Sequence, residues 1–226
     1  MLLTEKEVRD NIRNRNGKRV FYLGKGDQLS STARDFLNRE RIEILPAEQA
    51  KPERYLLLNG GCIEEKPEHM THLDGKFLVP KTHPRIAFRG AMDTLEGELL
   101  LCARETGEPR LQEVLEQARV LLRCDVLNEQ VPEMRLGGLN EKELRARSHR
   151  PQDFYGQPHF MPEVEDSLTV LRLNRVRCLT RQAELAAARA FRDAEGLPTR
   201  VDILQALNRM SSFLYLLMIE YKGKKS

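Results

Sequence analysis

The sequence predicts a mainly α-helical protein, an antiparallel helical bundle that follows a small α+β segment. From Pro84 onward apolar residues recur at helical spacing, whereas residues 1–80 carry short β-rich runs between glycines. Apolar residues make up 40% and aromatic residues 6% of the 226 residues, which is typical of helices around an aliphatic core. We therefore expect two domains, a small α+β region at 1–80 and a bundle at 81–226.

The N-terminal region is predicted to alternate short helices and strands. The first helix begins at Thr4, which forms a capping box with Glu7, and the second begins at Ser30 or Ser31 and ends at Arg39. Strands are expected in three β-rich or apolar runs, at 19–23, 42–45 and 55–58. The Asn-Gly-Gly sequence that follows is typical of a turn.

The bundle begins with a helix from Pro84 that carries a sustained apolar stripe. The stripe consists of Phe88, Met92, Leu95, Leu99 and Cys102. Gly107 ends this helix, and a second helix carries a stripe of Leu111, Leu115, Ala118 and Leu122.

The later elements are separated by glycine and proline breaks. Gly137-Gly138 interrupts the chain, and Asn140 caps a short helix. We expect a loop at 151–162, a long helix at about 163–194 and a last helix at about 200–221 with Thr199 as its N-cap. Together these elements predict a bundle of four to five helices.

Composition limits the classes of function. Lys and Arg total 37 against 34 Asp and Glu, and this net charge of +3 does not require a nucleic-acid partner. A basic group near the N-terminus keeps a nucleic-acid-binding regulator open as an alternative: Arg9, Arg13, Arg15, Lys18 and Arg19. The longest purely apolar run, 213–219, is far shorter than the roughly 20 residues of a membrane span.

The N-terminus and the cysteines indicate a reducing compartment. The chain begins without the apolar segment of a secretory signal, so we expect a cytoplasmic protein. The cysteines Cys62, Cys102, Cys124 and Cys178 are far apart, and we expect them to be buried free thiols.

The long helix carries a charged group at helical spacing. With Leu168 taken as the centre of the buried face, Arg177, Arg181 and Glu184 share the opposite face. A solvated charged face is one interpretation. The other is that two guanidiniums one turn apart grip a polyphosphate or an interfacial carboxylate, with Glu184 orienting them.

A second basic group stands at the entrance of the first bundle helix. Lys81, His83 and Arg85 precede or begin that helix, where free backbone N–H groups and the helix dipole favour an anion. Asp93 flanks the apolar stripe, so we expect it at a helix–helix or subunit seam with an arginine partner.

Two further motifs are incomplete. Gly24-Lys25-Gly26-Asp27 begins like a phosphate loop but lacks a third glycine, and a plain turn is the alternative. Cys62, His69 and His72 have metal-ligand spacing but no evident fourth ligand.

Three motifs carry a family resemblance. The run 80–86 with Gly90-Ala91-Met92-Asp93 resembles the Lys-x-x-Pro-Arg and Gly-x-x-Asp-Glu-Leu entry of PduO-type ATP:cob(I)alamin adenosyltransferases. The stretch 177–184 resembles their Arg-x-x-x-Arg-x-Ala-Glu, and 207–211 resembles their Leu-Asn-Arg-Leu-Ser. The resemblance is closer to the EutT-type adenosyltransferases of ethanolamine utilisation, through 29–37, 71–73, 88–89 and 202–209.

The resemblance implies a ferritin-like bundle that forms homo-oligomers and binds ATP, with its Mg²⁺, at subunit junctions. Cob(I)alamin attacks C5′ of ATP, and triphosphate leaves. The resemblance implies these roles: triphosphate neutralisation by Lys81, Arg85, Arg177 and Arg181; orientation of the arginines by Glu184; nucleotide binding by Asn208; and an intersubunit pair between Asp93 and Arg181. Phe160, in Phe-Met-Pro, resembles the aromatic that displaces the lower axial ligand of the corrinoid, with Phe154 and Tyr155 as alternatives.

Departures from the family pattern shape the remaining expectations. Many EutT-type proteins carry Cys-Cys-x-x-Cys ahead of Thr-His-Leu, whereas this chain has Cys62 alone in that region, so we expect no structural transition metal. A non-catalytic corrinoid or ATP sensor or chaperone stays open as an alternative. The resemblance further implies delivery of product to an adenosylcobalamin-dependent lyase and association with a microcompartment. From the net charge and the short apolar runs we expect neither nucleic-acid nor membrane partners.

Overall fold

A computed structural model describes residues 1–15, 18–49, 55–63, 66–75 and 77–223. The chain divides into two compact units, Met1–Leu78 and Val79–Ser226. The first contains short strands and helices, and the second is dominated by long helices. This confirms the predicted class, a mainly α protein with a small α+β N-terminal part.

The first unit contains two short helices and small sheets. Its strands are β1 (Leu2–Leu3), β2 (Arg13–Arg15), β3 (Lys18–Leu23), β4 (Gln28–Leu29), β5 (Glu43–Pro46), β6 (Tyr55–Leu57), β7 (Cys62–Ile63) and β8 (Met70–Asp74). Its helices are α1 (Glu5–Asp10) and α2 (Ser31–Arg39), with a 3₁₀ turn at Ala47–Gln49. The strand β9 (Phe77–Pro80) begins in this unit and ends in the first residues of the second. The Thr4 capping box and the Ser30 cap form as predicted.

Strand pairing places one βαβ unit at the centre of this region. β3 pairs in parallel with β5 and antiparallel with β2, so that α2 is the crossover between parallel strands. A core around Val8, Phe21 and Phe36 lies under these elements. A second sheet has the order β7-β6-β9-β8, and of its strands the sequence predicted only β6.

The second unit is a set of packed helices. Its elements are α3 (Pro84–Thr106), α4 (Leu111–Leu127), the hairpin β10 (Arg135–Leu136) and β11 (Leu139–Asn140), α5 (Glu141–His149), α6 (Pro151–Tyr155), α7 (Leu168–Ala190) and α8 (Val201–Gly223). α7 packs between α3 and α8, α4 packs on α3, and α5 packs on α8. The predicted stripe of α3 is buried in full.

Glycines and caps set the boundaries of these helices. Gly107, with φ of 66°, ends α3, and the Gly137-Gly138 pair forms the β10–β11 turn with φ of 57° and 77°. A Cβ on Gly137 would come within 2.7 Å of the Phe213 ring, so this position also requires the absence of a side chain. Asn140 and Glu143 form a capping box for α5.

Several predicted boundaries are wrong. α6 lies within the predicted loop, because Pro151 at the first helical position favours a helical turn. α7 starts at Leu168 rather than 163, because Ser167 caps it, and ends at Ala190 rather than 194. α8 begins at Val201, which makes Arg200 rather than Thr199 the residue before the helix.

The buried face of α7 also differs from the prediction. Leu168, the chosen reference, is 63% exposed because it lies in the first turn. The buried residues are Val170, Leu173, Val176, Leu179, Thr180, Ala183 and Ala187. They centre about 100° from Leu168, so Arg177 and Glu184 lie about 80° and about 60° from the buried centre. These two side chains therefore flank the core, and neither is on the face opposite to it.

The cysteines divide into two classes. Cys102 and Cys124 are buried free thiols, as predicted, whereas Cys62 and Cys178 are exposed. Burial raises the pKa of the Cys102 thiol to about 11, which keeps it protonated and unreactive. Cys178 is exposed because it falls on the outer side of α7, between the two arginines of the charged group.

An ion-pair cluster joins the α4 start to the α8 end. Glu108, which is 4% exposed, accepts hydrogen bonds from Arg110, and Arg110 Nη1 reaches Glu220 Oε2 at 2.8 Å. Hydrogen bonds from Arg110 lower the pKa of Glu108 to about 2. The cluster links the α3–α4 connection to the end of α8.

Candidate functional site

A cleft of about 1080 Å³ lies on the second unit. Its walls are α7, α8, the segment 159–162 and the end of α5. Five residues that the sequence analysis selected line it: Phe160, Arg177, Arg181, Glu184 and Asn208. They meet because α7 and α8 pack side by side, which brings the motifs at 177–184 and 207–211 together.

Arg177 is the more enclosed of the two cleft arginines. Its guanidinium carbon lies 5.2 Å from the centre of the Tyr215 ring, a cation–π contact. Its Nε is buried and has no hydrogen-bond partner among the residues that the structure describes. The Arg177 guanidinium is positively charged and has an N–H group available to donate, so it is suited to an anionic ligand.

Arg181 and the pair formed by Glu184 and Asn208 lie in the same polar part of the cleft as Arg177, which is called the polar wall below. Arg181, one turn further along α7, is exposed in the cleft, and across the described ranges it forms no ion pair within the chain. Asn208 Nδ2 donates to Glu184 Oε1 at 3.1 Å, which joins the two predicted nucleotide-binding motifs directly. Arg209, the neighbour of Asn208, has its pKa lowered by burial and by the charge of Arg145.

Phe160 belongs to the apolar wall of the cleft. Its backbone N–H donates to the hydroxyl of Tyr215 at 3.1 Å, and the two rings stack with their centres 5.9 Å apart. Phe160 also packs partly against the bundle core. The next residue, Met161, is 83% exposed and lines the same cleft, so the loop presents an apolar surface to its opening.

Three predicted residues lie elsewhere in the described chain. Lys81, Arg85 and Asp93 are not among the residues that line the cleft. Lys81 and Asp93 are exposed, Lys81 just before α3 and Asp93 within it. Phe154, an alternative to Phe160, is 46% exposed and holds the Arg147 guanidinium 5.5 Å from its ring centre. Tyr155, the other alternative, packs against the bundle core.

The start of α3 is partly capped by the chain itself. His83 Nδ1 accepts the backbone N–H of Arg85 at 3.2 Å, which occupies one of the N–H groups expected to be free for an anion. Burial, followed by the charges of Arg85 and Arg89, lowers the pKa of His83 and so favours the neutral ring that this cap requires.

Arg85 and Arg89 share a buried acid. Asp125 of α4 has a side chain with 0% exposure, and its carboxylate receives Arg85 Nε at 2.9 Å and Arg89 Nε at 2.6 Å. Arg85 therefore has a structural partner in addition to any ligand, which the sequence could not indicate because Asp125 is 40 residues away.

The two incomplete motifs do not assemble into sites in the described chain. The terminal amine of Met1 donates to the Gly26 carbonyl and to Asp27, so the Gly24–Asp27 segment contacts the N-terminus as a turn. Cys62 is exposed in β7, and the His72 ring packs against Tyr55 at 5.5 Å. Among the described residues, no group of three or more His, Cys, Asp and Glu side chains is arranged to hold a metal.

The basic residues near the N-terminus have partners within their own unit. Arg9 pairs with Glu5 at 2.7 Å, and Arg19 pairs with Glu40 at 3.2 Å. Arg13 lies over the Tyr22 ring. The side chain of Arg15 lies outside the described part. These contacts account for most of the basic cluster without a nucleic acid. Separately, no helix in the described ranges has the length and apolar character needed to cross a membrane.

The cleft residues that the sequence did not single out as functional include His159, Met161 and Tyr215. Tyr215 falls within an apolar stretch of α8 and looks like a core residue by periodicity. An available signal was its hydroxyl, because a tyrosine among buried aliphatic residues needs a hydrogen-bond partner.

Comparisons with known proteins agree with these motifs. Residues 62–221 match the cobalamin adenosyltransferase family. The chain is 29% identical to the corrinoid adenosyltransferase EutT of Salmonella typhimurium over 96% of the chain and 91% of that protein. It is 32% identical to the corrinoid adenosyltransferase EutT of Escherichia coli K12 over 70% of the chain and 60% of that protein. The predicted resemblance is confirmed.

Proposed function

Because the chain belongs to the cobalamin adenosyltransferase family, we propose that it transfers the 5′-deoxyadenosyl group of ATP to cob(I)alamin. The cobalt electron pair forms the bond to C5′, the C5′–O bond breaks, and that electron pair leaves with triphosphate. The corrinoid supplies the nucleophile, so the protein has to align the reactants and stabilise the leaving group. The EutT relatives and the motifs at 71–73 and 202–209 support a role in ethanolamine utilisation.

The observation that carries this proposal is the composition of the cleft. One wall offers Arg177 and Arg181 with the Glu184–Asn208 pair, which suits a nucleotide and its phosphates. Another part of the lining offers Phe160 and the exposed Met161, which suit an apolar face of a corrinoid. A single cleft thus has polar groups for one substrate and apolar groups for the other.

Leaving-group stabilisation is the proposed role of the arginines. Two guanidiniums four residues apart on α7 can hold adjacent phosphates, and the negative charge that develops on triphosphate strengthens those contacts. The unpartnered Nε of Arg177 is available for such a contact. Mg²⁺ enters with ATP and keeps mostly phosphate and water ligands.

Phe160 is proposed to act on the corrinoid. An aromatic ring held over the lower face excludes water and the axial base, which favours a four-coordinate cob(II) that is more readily reduced to cob(I). Its backbone bond to Tyr215 and the cation of Lys222, 5.4 Å from the ring centre, support a fixed position for this side chain.

A homo-oligomer with active sites at subunit junctions is the proposed assembly. Lys81, Arg85 and Asp93 lie on or before α3 and outside the cleft of their own chain. A second copy that brings its α3 entrance to the cleft would add Lys81 and Arg85 to the phosphates and Asp93 to Arg181. This accounts for an exposed acid and an exposed guanidinium that lack ion-pair partners among the described residues. Delivery of product to an adenosylcobalamin-dependent lyase is part of the same proposal.

Turnover with purified protein tests the proposal. ATP with Mg²⁺ and chemically reduced cobalamin should give the absorbance change of adenosylcobalamin formation, with one triphosphate released per adenosyl group transferred. Omission of the reductant is the control. Binding of ATP and corrinoid without either product would instead favour the non-catalytic sensor or chaperone. Formation of ADP in place of triphosphate would contradict the proposed cleavage of the C5′–O bond.

A further inference from the structure

Tyr215 touches both walls of the cleft. Its ring stacks on Phe160 with centres 5.9 Å apart and on His159 with centres 5.8 Å apart. The guanidinium carbon of Arg177 lies 5.2 Å from the same ring centre. One side chain of α8 thus contacts the loop that carries the apolar wall and an arginine of the polar wall.

The hydrogen bonds of its hydroxyl form a directed chain. His159 Nε2 lies 3.3 Å from the carbonyl oxygen of His149, which can only accept, so Nε2 carries the proton. In the neutral ring Nδ1 is then an acceptor, and it takes the hydroxyl proton of Tyr215 at 3.2 Å. The hydroxyl oxygen is left to accept the Phe160 N–H at 3.1 Å. The hydroxyl also lies 3.5 Å from the Phe160 carbonyl oxygen, a longer contact than the one to His159, so both alternatives tie Tyr215 to the 159–160 segment.

The contact between Tyr215 and Arg177 involves the ring of Tyr215 and not its hydroxyl. In the described part of the chain Arg177 forms no ion pair, and its buried Nε has no partner. Within the chain, the ring therefore contacts the guanidinium of Arg177, whereas the hydroxyl bonds to the loop. Substitution can remove the hydroxyl alone, as in Tyr215→Phe, or the hydroxyl together with the ring, as in Tyr215→Leu.

We propose that Tyr215 is a positioning residue that fixes the Phe160 segment and Arg177 relative to each other. His159 orients the Tyr215 hydroxyl. The proposal rests on the proposed function, since it concerns how the two substrates are brought together. The hydroxyl positions the loop against the corrinoid, and the ring positions Arg177 against the phosphates.

Tyr215→Phe tests the hydroxyl. This variant keeps the ring and loses two hydrogen bonds, so we expect kcat to fall about tenfold while KM for ATP stays within about twofold. The fraction of bound cob(II)alamin that is four-coordinate in the presence of ATP, measured by its electron paramagnetic resonance spectrum, should fall as well. Tyr215→Leu also removes the ring and should raise KM for ATP by about twofold to fivefold.

Tyr221→Phe is the matched control. Tyr221 lies on the same helix and donates its hydroxyl proton to Glu108 at 3.1 Å, outside the cleft lining. We expect its kinetics and its cob(II)alamin spectrum to match those of the parent. His159→Ala should reproduce the Tyr215→Phe defect, and His159→Gln, which keeps a donor and an acceptor, should recover most of it.

The outcomes separate this inference from the proposed function. A parent protein that forms no adenosylcobalamin refutes both. A competent parent whose Tyr215→Phe and His159→Ala variants have unchanged kcat and an unchanged cob(II)alamin spectrum refutes the inference alone. Should Tyr215→Phe fail to fold, His159→Ala decides, because His159 is exposed and its removal leaves the core intact.

Discussion

Replacing Asp125 with asparagine removes the charge that two arginines of α3 share. The carboxylate is fully buried, and it receives Arg85 Nε at 2.9 Å and Arg89 Nε at 2.6 Å. The arginine side chains are 20% and 18% exposed, so water compensates little for the lost partner. An asparagine keeps the shape but turns an N–H₂ group toward one of the two guanidinium donors.

The expected cost follows from this geometry. Breaking a buried ion pair by removing one partner costs about 3–5 kcal/mol, and partial exposure of the arginines places Asp125→Asn near the lower value, at about 3 kcal/mol. For a protein of this size each kcal/mol lowers Tm by about 2–4 °C, so Tm should fall by about 6–12 °C. Thermal unfolding followed by circular dichroism at 222 nm measures this.

Asp153→Asn provides the control for the same chemical change at the surface. Asp153 is 59% exposed and lies 3.8 Å from Arg150, so its loss should cost less than about 0.5 kcal/mol. Arg85→Ala should lose stability as well as ATP affinity, because the residue has both a structural and a proposed ligand role. If the Tm of Asp125→Asn is within about 2 °C of that of the parent, the ion pairs of Asp125 do not stabilise the packing of α4 on α3.

Four further outcomes follow from the site and the charge clusters. Arg181→Ala should lower kcat by about 10²–10³ without a change in Tm, because its exposed side chain is proposed to contact the leaving group and does not pack in the core. Arg175→Ala on the same helix should leave kcat unchanged. Asp93→Ala and Arg181→Ala should be non-additive for ATP affinity if the two pair across subunits. Cys62→Ala should keep parental activity, and the purified protein should contain no stoichiometric zinc or iron by elemental analysis. The pKa of about 2 at Glu108 gives about 3 kcal/mol of stability that is complete above about pH 5.5 and is lost as the pH falls toward 2.

Each outcome has a result that contradicts it. If the activity of Arg181→Ala stays within about threefold of that of the parent, Arg181 has no role in the reaction. If the losses of ATP affinity in Asp93→Ala and Arg181→Ala are strictly additive in the double variant, the Asp93 and Arg181 side chains do not pair. One tightly bound metal per chain that is lost with activity in Cys62→Ala overturns the expectation of no metal. For Glu108, the Glu108→Gln variant should have a flatter acid limb, and an unchanged pH profile of unfolding contradicts the assignment.

The sequence by itself determined the fold class and most of the helices. The stripe from Phe88 to Cys102 has a strong 3.6-residue period, and caps such as Thr4, Ser30 and Asn140 are local signals that need only the neighbouring residues. The motifs at 177–184 and 207–211 also selected residues that share one cleft. These features are predictable because their physical causes lie within one or two turns of chain.

The tertiary structure decided what depends on distant partners. The buried face of α7 is set by α3 and α8, which is why Leu168 was a wrong reference and Arg177 flanks the core. Arg85 was expected to bind an anion, but only the packing of α4 on α3 could provide Asp125 as its partner. Tyr215 has the spacing of a core residue, and only the fold brings His159 and Phe160 to its hydroxyl. Periodicity gives the side of a helix, but buried hydrogen-bond partners come from segments tens of residues away, so three-dimensional packing alone can assign them.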